Sequence, residues 1–385
     1  MTSKAWGIYA HIPYCVKKCA YCDFISAAVG TNEAEMEDYA AALRAEILRE
    51  APPLRARFGD AATIYIGGGT PTVLPAALLA GIIETIREAA GTPTECTVEA
   101  NPGTVDEDDL TQLRAAGADR LSFGVQSFDD RLLRVIGRIH TAAEARAAFH
   151  AARVAGFRNI SIDLMYGLPT QTLADLKHSV AAALALAPEH ISVYGLIVEE
   201  GTPFAAAEAA GRLALPTEDA AEEMYDWLMG ELPAQGFVRY EISNFARAGF
   251  ESRHNLGYWR SVPYLGVGAG AHGYADGVRW ANESDTHAYI SGIRAGVSVR
   301  TSEDAERTRA NAMEEYAFLA LRTAEGIDEE DFRRTFGAAM DEVYADVIAK
   351  YTAQGLLRRS ENHVALTEAG MKLGNEVFAA FLLEE

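Results

Sequence analysis

The sequence has little positive charge for its length. Its 385 residues include 34 Lys and Arg against 55 Asp and Glu, which gives a formal net charge of −21. Proteins that bind nucleic acids or anionic membranes need a basic surface to displace counterions, so this balance argues against both classes. Only four residues are cysteines, which excludes a scaffold built on disulfide bonds.

Long apolar runs are absent as well. No stretch approaches the roughly 18 uninterrupted apolar residues of a membrane span, and the segment after Met1 lacks the apolar run of a signal peptide. We therefore expect a soluble, cytoplasmic protein whose thiols stay free. A prior of about 150 residues per domain predicts two or three domains, and a hydrophobic content of 49% is sufficient for their cores.

Six segments with apolar residues at every second position alternate with segments of helical periodicity. The predicted strands are residues 5–12, 62–66, 95–100, 120–125, 159–165 and 190–196. Examples of the predicted helices are residues 75–90, 142–155 and 172–186. This alternation indicates βαβ units and a parallel sheet.

One face of several predicted strands is polar. Ser161 and Asp163 share one face of their strand, and Glu99 and Gln126 lie opposite apolar neighbours in theirs. A parallel sheet covered by helices on both faces is apolar on both, so we predict that the polar face lines a cavity. Six units are fewer than the eight of a closed TIM barrel. The predicted fold class is therefore α/β, an incomplete (β/α)6 barrel of the TIM type.

Three of the cysteines, Cys15, Cys19 and Cys22, form a C-x3-C-x2-C array directly after the first predicted strand. Adjacent thiolates repel one another and soft metal ions relieve that repulsion, so the array indicates zinc or an iron–sulfur cluster. A structural zinc ion needs a fourth ligand, for which His11 and Cys96 are nearest in sequence. Cys96 falls on the apolar face of its strand, so we expect it to be buried. Three thiolates on a four-iron cluster leave one iron open to a cosubstrate, and we favour this interpretation.

A glycine turn and three polar side chains follow the predicted strands. Residues 67–72 lack the Lys-Ser/Thr pair of a P-loop and the spacing of a dinucleotide fingerprint, but they offer bare backbone to a small ligand. Glu99, Gln126 and Asp163 come at the carboxyl ends of strands, where barrel ligands bind. Two carboxylates and an amide around one lumen suit a cationic, hydroxyl-rich ligand such as a sulfonium nucleoside.

Together these motifs resemble the oxygen-independent coproporphyrinogen III dehydrogenase-like radical S-adenosylmethionine (SAM) family, and within it the heme chaperone subgroup. The resemblance covers nearly the whole chain and is carried by residues 9–15, 67–72, 99–102, 138 and 163–169 and by the C-terminal helical module. It implies a barrel of the radical SAM class in which Cys15, Cys19 and Cys22 hold a [4Fe–4S] cluster. It also implies SAM contacts from Tyr9, Tyr21, Gly68, Gly69, Thr70, Glu99, Gln126, Arg138 and Asp163.

Three features separate the sequence from the dehydrogenase itself. Phe24 stands where the dehydrogenase has a fourth cysteine, only 14 residues precede the cysteine array, and residues 253–259 match the H-N-x-x-Y-W pattern of the heme chaperones. Through the resemblance, His254 is an axial heme ligand; without it, His254 is a structural histidine with satisfied hydrogen bonds. Arg253 and Arg260 are either partners for heme propionates or solvated surface charges.

After residue 300 the periodicity becomes helical. Helices are predicted over residues 301–322, from 326 to about 337 and on to about 354, followed by a hairpin of residues 356–360 and 363–367. This pattern resembles a winged-helix module, and we expect packing or protein interaction rather than DNA binding because the chain is acidic. The predicted domains are a barrel over 1–235, a connecting segment with the H-N-x-x-Y-W motif over 236–300, and a helical, winged-helix-like domain over 301–385.

We predict a heme chaperone that carries a SAM-liganded [4Fe–4S] cluster and transfers heme to acceptor proteins. The alternative is an enzyme that decarboxylates coproporphyrinogen III propionates through a 5′-deoxyadenosyl radical. A third interpretation is radical chemistry on an unrelated substrate, because the fold does not name its substrate. The expected partners are heme, heme-acceptor proteins, an electron donor for the cluster and a second copy in a homodimer, with no nucleic acid and no transmembrane segment.

Overall fold

The structure of the protein is a computed structural model that describes residues 5–28, 32–302 and 308–383. Its strands are β1 (Gly7–Ile12), β2 (Tyr14–Cys15), β3 (Ala27–Ala28), β4 (Thr63–Gly68), β5 (Glu95–Ala100), β6 (Arg120–Gln126), β7 (Asn159–Tyr166), β8 (His190–Gly195), β9 (Val238–Arg239), β10 (Asn244–Ala246), β11 (Tyr264–Val267), β12 (His272–Ala275), β13 (Val278–Asn282), β14 (Arg300–Ser302), β15 (Ile327–Asp328), β16 (Leu357–Ser360) and β17 (His363–Leu366). Its α-helices are α1 (Glu33–Phe58), α2 (Ala76–Ala90), α3 (Glu107–Ala116), α4 (Asp130–Val135), α5 (Ala142–Val154), α6 (Leu173–Ala185), α7 (Pro203–Ala209), α8 (Glu218–Ala234), α9 (Arg253–Trp259), α10 (Thr286–Arg294), α11 (Arg309–Leu321), α12 (Glu329–Phe336), α13 (Met340–Val343), α14 (Ala345–Ala353), α15 (Glu368–Lys372) and α16 (Gly374–Ala380). Across the described ranges, no helix combines the length with the apolar character that a membrane span demands.

Twelve strands form one sheet, in the order β14-β13-β12-β11-β1-β4-β5-β6-β7-β8-β10-β9. Its centre is parallel, because β11 pairs with β1, and β1, β4, β5, β6, β7 and β8 pair in succession. The six predicted strands are thus observed, and the predicted incomplete α/β barrel is confirmed. A seventh parallel strand, β11, comes from the segment that the sequence analysis treated as a connection.

Alternation of side chains along the strands separates the core from the lumen. Leu121, Phe123 and Val125 of β6 are buried in the main hydrophobic core. Ser122 and Gln126, between and beyond them, line a central cavity. Since successive residues of a strand point to opposite faces, the predicted polar face is the face of the lumen.

The segment over residues 236–300 extends the sheet at both edges. β10 pairs with β8, and β9 pairs with β10, both antiparallel. At the other edge, β12, β13 and β14 continue from β11 in antiparallel order. Between these edges α9 passes beneath the amino ends of the parallel strands, where the backbone N–H groups of Arg253 and His254 donate to the carboxylate of Glu95 in β5. The segment therefore closes the barrel from below.

The C-terminal residues form a second hydrophobic core. β15, β17 and β16 make a three-stranded antiparallel sheet, so the predicted hairpin is confirmed. Phe332, Tyr344 and Phe378, from the helices around this sheet, are buried in the second core. The domain boundaries at residues 235 and 300 stay predictions.

The predicted helices of this part differ from the observed ones at their ends. The helix predicted over residues 301–322 is wrong at its start, because β14 occupies its first residues and pairs with β13. Residues 303–307 lie outside the described residues, and α11 begins after them. The helix predicted from residue 326 begins only after β15, and the third predicted helix is divided at Tyr344. Tertiary strand pairing overrides local helical periodicity at these points.

Candidate functional site

The lumen of the barrel contains a cavity of about 390 Å³ at the carboxyl ends of the parallel strands. Its volume lies within the range of about 300–1,000 Å³ that small-molecule sites occupy. All residues predicted to hold the cluster and SAM line this cavity except Tyr9, namely Cys15, Cys19, Tyr21, Cys22, Gly68, Gly69, Thr70, Glu99, Gln126, Arg138 and Asp163. The structure therefore brings together side chains that are spread over some 150 positions of the sequence.

The cysteine loop, residues 15–22, lies at the rim of the cavity. Cys15 ends β2 and is buried, with its Sγ 3.6 Å from Oγ1 of Thr70, while Cys19 and Cys22 are half-buried. Arg138 donates from Nη1 to Sγ of Cys19 at 3.5 Å. All four cysteines of the chain are free thiols. Within the described ranges, no three His, Cys, Asp or Glu side chains converge as the ligands of a single metal ion do; in an iron–sulfur cluster, each thiolate can bind a different iron.

The glycine turn after β4 lies directly against the cysteine loop. A Cβ atom on Gly69 would stand 2.5 Å from the carbonyl oxygen of Tyr14 and 3.1 Å from Sγ of Cys15. Gly68 has a φ of +115°, and a Cβ there would meet the ring of His11. The amide of Thr70 donates to the Tyr14 carbonyl at 2.7 Å, which fixes the turn to the loop. Glycine is required here because only a residue without a side chain permits this approach.

Two carboxylates face the cavity. Glu99 accepts from the Tyr65 hydroxyl at 2.7 Å and from the Gly68 amide at 3.1 Å, and burial raises its pKa to about 7. Asp163 accepts from the hydroxyls of Ser122 at 3.0 Å and Ser161 at 3.1 Å, and burial raises its pKa as well. Both groups lie on adjoining parts of one lumen, so a cationic ligand between them would favour their ionised forms.

Gln126 and Arg138 have polar atoms without partners. Gln126 ends β6 at a β-bulge, with a φ of +68° that is strained for a residue with a side chain. Its Oε1 is buried and lacks a hydrogen bond among the described residues, and the same is true of Nε of Arg138. Nη2 of Arg138 donates to Oδ1 of Asn101 at 2.6 Å and also to the carbonyl oxygen of Gly124. Strain and unmet hydrogen bonds of this kind are typical of ligand sites.

Tyr9 lies one layer below the cavity. Although Tyr9 is among the described residues, it does not line the cavity. Its hydroxyl donates to Nδ1 of His11 at 2.9 Å, and its ring stacks on Tyr65 with the centroids 6.2 Å apart. Tyr65 does line the cavity, so Tyr9 acts on the site through its neighbours.

His254 lies at the opposite end of the lumen from the cysteine loop. Its Nδ1 is 2.8 Å from Oγ1 of Thr63 and its Nε2 is 2.8 Å from the hydroxyl of Tyr258. The side chain is 3% exposed, its ring stacks on Tyr65 at 5.1 Å, and burial lowers its pKa to about 3. In this conformation neither ring nitrogen is free to bind iron, which favours the interpretation of His254 as a structural histidine.

The other residues of the H-N-x-x-Y-W segment and its neighbour Arg260 differ in their contacts: Asn255 lines the cavity, whereas Trp259 and Arg260 contact the C-terminal part of the chain. Trp259 packs under the guanidinium of Arg322, 4.6 Å from its ring centroid, and Arg260 forms an ion pair of 2.7 Å with Glu325. Arg253 differs, because its side chain is exposed and lines a separate pocket on the underside of the barrel.

Sequence reasoning missed several residues of the lumen. Besides Tyr65 and Asn101, these are Arg120, His190 and Ser192, all of which line the cavity. Arg120 is 1% exposed, and its Nε has no partner among the described residues. Arg120 could have been found because it lies two residues before Ser122 on the polar face of the same strand. His190 and Ser192 lie on the next strand, where they pair with Ser161 and Asp163. The contacts of Tyr65 and Asn101 depend on tertiary structure.

An incomplete barrel that presents three free thiols and several unsatisfied polar groups to one lumen defines a protein that binds a metal cluster together with a small cosubstrate. In agreement, residues 9–183 match the family model of the Radical SAM superfamily, and residues 308–373 match that of the HemN C-terminal domain.

Characterised relatives match the whole chain. It is 43% identical to the heme chaperone HemW of Bacillus subtilis, over 98% of this chain and 99% of that protein. It is 34% identical to the heme chaperone HemW of Escherichia coli, over 98% of both. Among solved structures, coproporphyrinogen III oxidase (HemN) from Escherichia coli aligns with a TM-score of 0.82 at 22% identity, covering 99% of this chain and 90% of that one, which shows a shared fold.

The chain therefore belongs to the radical SAM superfamily and, within it, to the family of these HemW proteins. Membership in the superfamily implies a [4Fe–4S] cluster and SAM as cofactors.

Proposed function

We propose that this protein is a heme chaperone. It holds a [4Fe–4S] cluster and SAM in the barrel, binds heme as cargo and passes the heme to acceptor proteins. The identity of 34–43% over the full length to proteins named heme chaperone HemW supports the cargo. The single structural observation that carries the cofactor assignment is the cysteine loop, whose three thiols line one cavity with the polar groups suited to SAM.

We assign the cluster to Cys15, Cys19 and Cys22. Their thiols converge on the cavity rim, and Gly69 keeps the space beside Cys15 free of a side chain. Phe24, at the position of a fourth cysteine in the dehydrogenase, is 64% exposed and offers no thiolate. Three thiolates on a four-iron cluster would leave one iron without a protein ligand, with an open coordination position available to a cosubstrate.

We assign SAM to the part of the cavity beside this open position. Arg138, which already contacts Cys19, is placed to pair with the carboxylate of the methionyl group. Asp163 accepts hydrogen bonds from hydroxyl groups in this structure and can do so from ribose. Glu99 and the unpartnered Oε1 of Gln126 add acceptors, and Tyr21 and the Gly68–Thr70 backbone complete the wall.

The cluster, when bound, supplies one electron to the SAM sulfonium. The chain's own residues orient the cosubstrate and exclude solvent from it. Tyr9 is a positioning residue in this scheme, because it supports Tyr65 and His11 from below. Axial ligation of heme by His254 stays a prediction, and it requires that the ring first break its hydrogen bonds to Thr63 and Tyr258.

We also infer a cytoplasmic location. Four free thiols in one chain suit a reducing compartment. The heme-acceptor protein, an electron donor for the cluster and a homodimer are further predictions of the same proposal.

The proposal is tested by measuring cargo and chemistry on the same preparation. After anaerobic reconstitution, we expect iron and acid-labile sulfide in the protein and an EPR spectrum that changes when SAM is added. We expect hemin to bind the protein in a stoichiometric complex. When this complex is mixed with an apo-hemoprotein, we expect the hemin to transfer to the apo-hemoprotein. Conversion of coproporphyrinogen III to a vinyl product, without heme transfer, would assign the protein to the dehydrogenase reaction instead.

A further inference from the structure

A second pocket, of about 230 Å³, lies on the underside of the barrel and outside its lumen. Three arginines line it: Arg114 in the last turn of α3, Arg158 immediately before β7, and Arg253 at the start of α9. All three residues are exposed. None of them has a nitrogen within 4.0 Å of a carboxylate oxygen of a described residue. We call this feature the arginine pocket.

The lining of the arginine pocket carries a net formal charge of +1, from three arginines against the carboxylates of Glu95 and Asp119. Its two carboxylates, Glu95 and Asp119, are already engaged by backbone N–H groups, at 3.1 Å from α9 and at 2.7 Å from β5. Arg114 donates to one backbone carbonyl at 3.0 Å. The guanidinium groups of Arg158 and Arg253 make no hydrogen bond to a described residue. In a chain with a net charge of −21, two exposed guanidinium groups without a partner among the described residues, Arg158 and Arg253, favour an anion at this pocket.

We propose that the arginine pocket binds the propionate carboxylates of a tetrapyrrole, an inference that rests on the proposed heme cargo. A guanidinium group binds a carboxylate through two parallel N–H···O bonds. Three guanidinium groups from separate elements of the fold can therefore hold two propionate carboxylates. The pocket is large enough for carboxylate arms and too small for a macrocycle. Phe250, at its edge, offers apolar contact to the ring outside it. The heme would then lie along the outer side of α9.

The test compares hemin with iron protoporphyrin IX dimethyl ester, which lacks free carboxylates. Wild-type protein should bind hemin about tenfold more tightly than the ester, as expected for charge-assisted hydrogen bonds. The double variant Arg158→Gln/Arg253→Gln should reduce this preference to about twofold. The double variant Arg212→Gln/Arg333→Gln removes the same charge from two exposed arginines elsewhere and should keep the wild-type preference.

Inorganic phosphate is an oxyanion that, like a carboxylate, accepts hydrogen bonds from guanidinium groups, so it serves as a second probe. It should weaken hemin binding to the wild type and to the control variant, and leave the Arg158→Gln/Arg253→Gln variant unchanged. Phosphate that binds at the arginine pocket without affecting hemin would assign the pocket to a different ligand. A wild-type preference that persists in the double variant overturns the inference while the heme chaperone proposal stands. A wild-type protein that binds neither hemin nor its ester overturns the proposed function itself.

Discussion

The two ends of the barrel lumen differ in how completely the polar groups of Gln126, His254 and Glu95 are hydrogen-bonded within the protein. The mouth consists of the cysteine loop, the Gly68–Thr70 turn and the strand ends at Glu99, Gln126 and Asp163. Here Gln126 has a strained backbone and a buried oxygen that no described residue contacts by a hydrogen bond. The floor consists of α9 and the first residues of β1, β4 and β5. There both nitrogens of His254 and both oxygens of Glu95 are hydrogen-bonded within the protein.

This difference distinguishes polar groups that are available to a ligand from polar groups whose hydrogen bonds hold the barrel together. An unsatisfied buried polar group costs about 1–3 kcal/mol, so each one calls for an explanation, and a ligand in the cavity supplies one for Gln126 and Arg138, which line it. Gln126 and Arg138 at the mouth carry such a cost, whereas His254 and Glu95 on the floor do not; within α9, the buried Nε1 of Trp259 also lacks a partner among the described residues. In this conformation His254 is therefore part of the support, whereas Gln126 lines the cavity with an oxygen that a ligand could bind.

Loss of a cysteine from the mouth should have the largest effect. Cys19→Ala removes a thiolate from the cluster, and we expect the iron and acid-labile sulfide content to fall to under about a tenth of wild type. The matched control is Cys96→Ala, because Cys96 is fully buried in the core and does not line the cavity. Metal analysis after anaerobic reconstitution measures both. Full iron content in Cys19→Ala would show that the cysteine loop does not hold the cluster.

Removal of His254 from the floor should affect stability and leave the cluster in place. His254→Ala strands the hydroxyls of Thr63 and Tyr258 and opens a gap against Tyr65, so we expect a loss of about 2–4 kcal/mol. Urea unfolding of the cluster-free protein measures it, and His287→Ala, at an exposed position of α10, is the control. If His254→Ala loses no more stability than His287→Ala, the hydrogen bonds of His254 do not stabilise the floor, and the interpretation of His254 as a heme ligand is favoured.

The sequence predicted the mouth better than the floor, for a physical reason. Glu99, Gln126 and Asp163 belong to strands whose period-two alternation is local, so their common face and common end can be read without a structure. The glycine turn is equally local. The hydrogen bond between His254 and Thr63 joins residues 191 positions apart, and no local pattern encodes it.

The connecting segment shows the same limit at the level of the fold. Its parallel pairing of β11 with β1 and the position of α9 under the strands depend on contacts across more than 150 residues. At β14, two residues of the predicted helix, Thr301 and Ser302, join a sheet edge instead. The barrel could be predicted because each βα unit repeats a short local pattern. The closure of the barrel by β11 and α9 could not be predicted, because it depends on contacts that occur once in the chain.

Glu99 predicts a pH dependence for ligand binding at the mouth. Burial raises its pKa from 4.5 to about 7, so the carboxyl is mostly neutral at pH 6 and mostly ionised at pH 8. Because the ionised form attracts the cationic sulfonium, the affinity for SAM should rise about five- to tenfold between these two pH values. Titration of the reconstituted protein with SAM by calorimetry measures it. Glu99→Gln should bind weakly and without this rise, while Glu84→Gln, an exposed position of α2, should keep it; a rise of the same size in Glu99→Gln would exclude Glu99 as its source.

The outer end of α9 should contribute least. Arg260 and Glu325 form an ion pair of 2.7 Å between α9 and the C-terminal core, but their side chains are 55% and 53% exposed. Exposed pairs lose most of their Coulomb energy to water, so a double-mutant cycle with Arg260→Ala and Glu325→Ala should give a coupling under about 1 kcal/mol. Raising the salt concentration should reduce it further. A coupling energy as large as the stability lost in His254→Ala would contradict this expectation. It would mean that the contact with the C-terminal core stabilises α9 as much as the contacts with the barrel do.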